Sequence, residues 1–133
     1  LKSKYNKSNI IFKGKCSREK TLKSISKAKY LIQPSVLYET FGLTIIEAMS
    51  FGVPVIGFDI GTRGDFIQNG INGFLTNKTD LKKIKKKSLY YEEYDSLSKN
   101  AIETAKLYEN EYIIKKQIEI YEKIVENKIW KYQ

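Results

Sequence analysis

The chain has 133 residues, enough for one domain with a real core, and its 41% hydrophobic and 29% charged content is that of a globular protein, not a disordered one. It has no histidine and one cysteine, Cys16, which excludes a disulfide framework and argues against structural zinc. The net charge of +9 suits an anionic ligand, nucleic acid or an anionic membrane face, and equally suits a lysine-coated surface; arginine occurs only at Arg18 and Arg63. No apolar run approaches the ~20 residues of a membrane span, and no secretory signal is visible. A reducing, cytoplasmic setting is the default expectation.

Residues 9–13 (NIIFK), followed by Gly14, predict a first strand. Residues 17–28 predict an amphipathic helix, with Ser17 as N-cap and Leu22, Ile25 and Ala28 along one face. Residues 29–33 predict a second strand, stopped by Pro34, and residues 35–41 a loop. An apolar helix follows over 42–51, ended by Gly52 and Pro54. Residues 53–58 (VPVIGF) scarcely alternate, which fits a strand covered on both faces of a parallel sheet. One or two helical turns over 63–69 and a short strand over 73–76 complete the alternating part. Beyond Thr79 the pattern is helical. Leu81, Ile84 and Leu89 mark one segment. Leu97, Ala101, Ala105 and Tyr108 mark a second over 94–109. Ile114, Ile118, Tyr121 and Val125 mark a third over 111–132. Strands alternating with helices predict an α/β, Rossmann-like parallel sheet flanked by helices.

The stretch ETFGLTIIEAMSFGVPVI, Glu39 to Ile56, carries the functional signal. In an open parallel sheet, ligands sit beyond the carboxyl ends of the strands, and this segment leaves a strand to enter a helix. The first helical turn offers unpaired N–H groups and a partial positive charge, a site suited to phosphate. Gly42 lets an anion approach the backbone, and Thr44 adds a hydroxyl. A carboxylate can accept two hydrogen bonds side by side, as from neighbouring sugar hydroxyls. Glu39 precedes the helix start, and Glu47 lies just over one turn inside it, on the face of Leu43 and Thr44. Acid, phosphate site and acid in series suit a nucleotide sugar. The competing reading takes Thr44-x-x-Glu47 as a capping box and Glu39 as an exposed loop acid. Against it, Glu47 stands between Ile46 and Ala48 in an apolar helix, where a charge calls for a partner.

PSVLYETFGLTIIEAMSFGVPVIGFDIG, followed by DFIQNGINGFL, resembles the donor-binding half of retaining glycosyltransferases of GT-B fold, the family-four-like group 1 glycosyl transferases. The shared pattern is Pro34-Ser35, Glu39, Phe41-Gly42-Leu43, Glu47-Ala48 and Gly52-x-Pro54-Val55-Ile56, within a resemblance spanning about residues 9 to 125. It implies that Glu39 meets the hydroxyls of the transferred sugar as the catalytic residue. It implies that Thr40, Phe41 and Gly42 face the sugar and its phosphate, that Leu43 and Thr44 hold the diphosphate, and that Glu47 grips the nucleotide ribose. The donor would be a substrate, with no separate cofactor and no metal. Acceptor binding would fall to an N-terminal domain absent from this chain, with a carbohydrate or lipid-linked acceptor. The family's glycine-rich loop and Arg/Lys pair would lie upstream of Leu1. Where the family often has Gly-Gly before a later Glu, this chain has Gly61-Thr62 before Asp65. Residues 1–133 are thus expected to form one donor domain, truncated at its N-terminus and inactive alone.

Rival readings are a sugar-nucleotide epimerase or phosphorylase of similar fold, and a basic nucleic-acid module. Scarce arginine and the lack of a recognised nucleic-acid motif count against the last. The lysine run 82–87 reads as the wet face of a helix. Tyr90, Tyr91 and Tyr94 read as packing residues, with base stacking as the sharper alternative. The helix over 110–133, with Ile129 and Trp130, either packs within this domain or reaches the absent one. Peripheral contact with an anionic membrane is the favoured use of the excess positive charge.

Overall fold

The computed structural model describes residues 9–38, 41–80, 84 and 92–129. Three parallel strands, β1 (Leu31–Gln33), β2 (Val55–Phe58) and β3 (Gly73–Thr76), lie in the order β1-β2-β3. Leu31 pairs with Val55, and Val55 with Gly73, so the three carboxyl ends reach the same edge. Every residue of β2 is buried, as its unbroken apolar run requires of a central strand. The helices are α1 (Arg18–Ile25), α2 (Leu43–Ser50), α3 (Arg63–Phe66), α4 (Tyr94–Lys106) and α5 (Asn110–Ile129).

The strand expected over 9–13 does not form: residues 10–13 are irregular, and Ile11 is 80% exposed. A strand gains its stability from a paired neighbour. Among the described residues none pairs with this segment. The sheet therefore has three described strands where four were expected. The other elements that lie within the described residues fall where periodicity and stop signals put them, most of them a few residues shorter at their ends. Ser17 caps α1, its hydroxyl accepting from the Lys20 N–H, and Ile25 is the helix's buried residue.

The core forms where α2 packs on α4. Ile45, Ala48 and Met49 of α2 meet Ala101 and Ala105 of α4, with Val53, Val55, Phe66 and Ile67 beneath them. Alanines on both faces let the two helix backbones approach closely. Leu97 extends the contact toward Ile56 and Phe74, against which Ile84 also packs. The remainder of the 82–87 lysine run, with Leu81 and Leu89, lies outside the described residues. So do Tyr90 and Tyr91. Tyr94 is a packing residue: its ring meets Tyr30 edge-on at 5.4 Å, and its hydroxyl donates to the Lys29 carbonyl at 2.8 Å. Burial, helped by the Asp95 charge, raises its pKa above 10.0. The face of Ile114, Ile118, Tyr121 and Val125 on α5 is between 49% and 64% exposed, so it is not packed within this domain. Trp130 lies outside the described residues.

Two polar devices fix the ends of α2 and α3. At the end of α2 the Gly52 N–H donates to Met49 and the Val53 N–H to Ala48, a Schellman closure with Gly52 at φ +69°. The Gly52 carbonyl accepts from the Ser98 hydroxyl at 2.7 Å, which ties this turn to α4. The buried Asn72 side chain donates to the Phe66 carbonyl and the Thr104 hydroxyl, and accepts from the Gln68 N–H. It locks the turn after α3 against α4. A Cβ at Gly52 would strain the left-handed backbone and stand 2.7 Å from the Ser98 oxygen. Gly52→Ala is expected to cost about 1–3 kcal/mol in urea unfolding, and Gly52→Ala with Ser98→Ala less than Gly52→Ala alone. Equal losses would show that the Ser98 contact does not matter.

Candidate functional site

The loop between β1 and α2 is held by the side chain that starts α3. Arg63 is 1% exposed, beneath the carboxyl edge of the sheet. Its Nε donates to the Gln33 side chain at the end of β1 at 3.4 Å. One terminal nitrogen donates to the carbonyls of Phe58, the last residue of β2, and of Ile60 just beyond it, at 3.5 and 3.4 Å. The other donates to the Leu37 carbonyl in the loop at 3.2 Å. A buried guanidinium persists only when its donors are satisfied, and the fixed fork suits acceptors in several directions. The side chain at the end of β1 and the backbones at the end of β2 and in the loop before α2 are thereby joined through one cation.

From this loop the chain enters α2 through Gly42, the N-cap, at φ +65° and ψ +34°. The left-handed turn needs glycine, and a Cβ there would press on Ile45 and Phe66 at 3.2 and 3.3 Å. The capping-box reading is not borne out: α2 starts at Leu43, Thr44 lies inside it, and no side chain caps the helix. The Gly42 carbonyl takes the first two helical bonds, from Ile45 and Ile46. The N–H groups of Leu43 and Thr44 meet no acceptor among the described residues. Donors left open at a positive helix end are of the kind that suits an anion.

Of the residues singled out from sequence, Glu39 and Thr40 lie outside the described residues. Phe41 is half exposed, its ring tilted against Phe66 at 6.3 Å. Leu43 is 60% exposed, Thr44 and Glu47 partly so. The backbone therefore brings Phe41, Gly42, Leu43 and Thr44 together at the helix start, with Glu47 one turn further in. The partner that the Glu47 charge called for is present: Arg18, at the start of α1, forms an ion pair with its Oε1 at 2.6 Å. Asp65 faces outward on α3, and with the stronger effect of burial it raises the pKa of Tyr108.

An open cleft of about 660 Å³ lies at the carboxyl ends of β2 and β3, lined by residues including Phe58, Asp59, Ile60, Thr76 and Lys78. Its described lining includes no residue of the α2 helix start. The carbonyls of Phe58 and Ile60 that border it are the ones Arg63 binds. Sequence reasoning gave Arg63, Arg18 and Asn72 no role. The available signal was composition: only two arginines among 24 basic residues, one of them in a turn just after a buried strand.

Arg63→Met keeps the apolar bulk of the side chain and leaves its carbonyl acceptors without a donor. It is expected to lower stability by about 2–4 kcal/mol in chemical denaturation. A change within about 0.5 kcal/mol would show that these bonds hold nothing in place.

The family described as "Glycosyl transferases group 1" matches residues 1–108. A sucrose synthase of Thermosynechococcus vestitus is 47% identical over 53 residues, 40% of this chain and 6% of that protein. Among solved structures, a sucrose-phosphate synthase from Thermosynechococcus elongatus superposes with a TM-score of 0.77. It is 27% identical and covers 95% of this chain and 33% of its own. Anabaena HepE, solved in complex with UDP, gives a TM-score of 0.62 at 25% identity, over 74% of this chain and 28% of its own. The chain thus spans a third or less of these proteins. The parallel sheet with flanking helices agrees with the expected Rossmann-like half of a GT-B protein. With its family pattern assembled around the start of α2, this chain belongs to the group 1 glycosyl transferases.

Proposed function

We propose that this chain is the donor-binding part of a retaining glycosyltransferase, which transfers a sugar from a nucleoside-diphosphate sugar to a carbohydrate or lipid-linked acceptor. One observation carries the reading. The unpaired N–H groups of Leu43 and Thr44 stand at the head of α2, with the Glu47 carboxylate one turn beyond them. The N–H groups and the helix dipole would bind the diphosphate, and Glu47 the ribose hydroxyls. Glu39 and Thr40, which precede the helix in the chain, would face the transferred sugar together with Phe41 and Gly42. The similar HepE was solved with UDP, which supports a uridine nucleotide as the donor carrier.

In this reading the chemistry is charge stabilisation. When the bond between sugar and diphosphate breaks, negative charge grows on the leaving phosphate. Fixed backbone donors stabilise that charge without reorganising. Holding sugar and diphosphate at two ends of one helix start also supplies orientation. The donor is a substrate, with no separate cofactor. The acceptor side belongs to another part of the enzyme, which the exposed apolar face of α5 would contact. The enzyme would work in the cytoplasm, at the face of an anionic membrane, in polysaccharide or glycolipid synthesis. No described helix is long and apolar enough to cross a membrane.

Thermal unfolding with UDP, GDP and ADP tests the reading, alongside Glu47→Ala. A nucleotide at ten times its Kd is expected to stabilise by about 1.4 kcal/mol, raising the midpoint by about 3–6 °C. The shift should vanish in Glu47→Ala. No shift with any of the three, or an undiminished shift in the variant, would count against it.

A further inference from the structure

We propose that Arg18 is a positioning residue of the nucleotide site, pinning the Glu47 carboxylate in the direction from which it reads the ribose; this rests on the donor-site reading above. The contact itself is specific. An Arg18 terminal nitrogen forms an ion pair with Oε1 of Glu47 at 2.6 Å, from the start of α1 to the second turn of α2. The other carboxylate oxygen, Oε2, has no partner among the described residues. A glutamate has three rotatable bonds, and ordering it on a ligand costs conformational entropy. With one oxygen held, the second points in a set direction before the ligand arrives.

Stability does not account for this arginine. The pair is exposed on the Arg18 side, 77% by side chain, and exposed ion pairs contribute little. Arg18 is also the first residue of α1, where the positive helix end disfavours a cation. Nor does composition account for it. Lysine supplies nearly all the positive charge of this chain, and the other arginine, Arg63, is the buried tie beneath the same sheet edge. A lysine would offer Glu47 a point charge on a flexible stem. An arginine offers a planar fork that fixes direction. The two arginines thus stand at the two places where direction matters to the site, one under the loop before α2 and one beside its second turn.

Calorimetric Kd values for whichever of UDP, GDP and ADP binds, and for its 2′,3′-dideoxy analogue, test this in the full chain. The proteins are wild type, Arg18→Ala, Arg18→Lys, Glu47→Gln and the Ala/Gln double variant. Arg18→Ala should weaken binding of the ribonucleotide about tenfold. It should have little effect on the dideoxy analogue or in the Glu47→Gln background, and Arg18→Lys should restore binding only partly. Because Arg18 is exposed, the variants are expected to keep the wild-type melting temperature, which separates positioning from misfolding. Equal weakening in both Glu47 backgrounds, or for both nucleotides, would mean that Arg18 meets the phosphates directly, and would overturn the proposal. Unchanged binding in Arg18→Ala would overturn it alone. A wild-type chain that binds none of the nucleotides would overturn it together with the donor-site reading.

Discussion

The fold is organised around one buried cation. Arg63 sits under the carboxyl edge of the sheet and donates to acceptors from the end of β1, the turn after β2 and the loop that leads to α2. Burying a guanidinium is expensive unless its donors are met, so the three segments must lie where its fork can reach them. Short parallel strands leave their ends weakly defined by the ladder alone, and here the ladder is three or four residues long. The arginine supplies the missing definition at the edge where a ligand would bind. A lysine could not do so, because one ammonium cannot span acceptors on three separate segments.

Everything at the start of α2 follows from how that helix is held at its other end. Its apolar face is closed against α4 through small residues, and its last turn is locked by the Gly52 closure and the Ser98 bond. With its exit and its inner face fixed, the helix can leave its first donors unpaired. Gly42 turns the chain into the helix without a side chain that would cap it. A capping serine or aspartate is not accommodated there, because a Cβ would strain the left-handed backbone and press on Ile45 and Phe66. The first donors of the helix are left to solvent or to a ligand, and an anion is the ligand that the positive helix end favours.

Much of this was legible in the sequence. The unbroken run of 53–58 predicted a central parallel strand, and β2 is buried throughout. The Gly52-x-Pro54 stop, the Ser17 cap and the four-residue spacing of Leu97, Ala101 and Ala105 each corresponds to an observed cap or buried face. The demand of Glu47 for a partner was also legible, though not the identity of Arg18. What failed had a common cause. Residues 9–13 have strand composition, but a strand needs a paired neighbour, which local pattern does not report. Thr44 and Glu47 have capping-box spacing, but the helix begins one residue before Thr44 because Gly42 takes the left-handed turn. Arg63 and Asn72 act across 26 to 32 residues of chain, and no local period carries such contacts.

The most direct test of the α2 helix start as a phosphate site is amide NMR of the Leu43 and Thr44 N–H groups during titration with UDP. These two donors have no acceptor among the described residues. Binding at the proposed site should move both resonances downfield and slow their exchange with water, while amides on the far face of α4 stay unchanged. Saturable UDP binding that leaves Leu43 and Thr44 untouched, with the changes gathered instead around the cleft of Phe58 and Thr76, would contradict it.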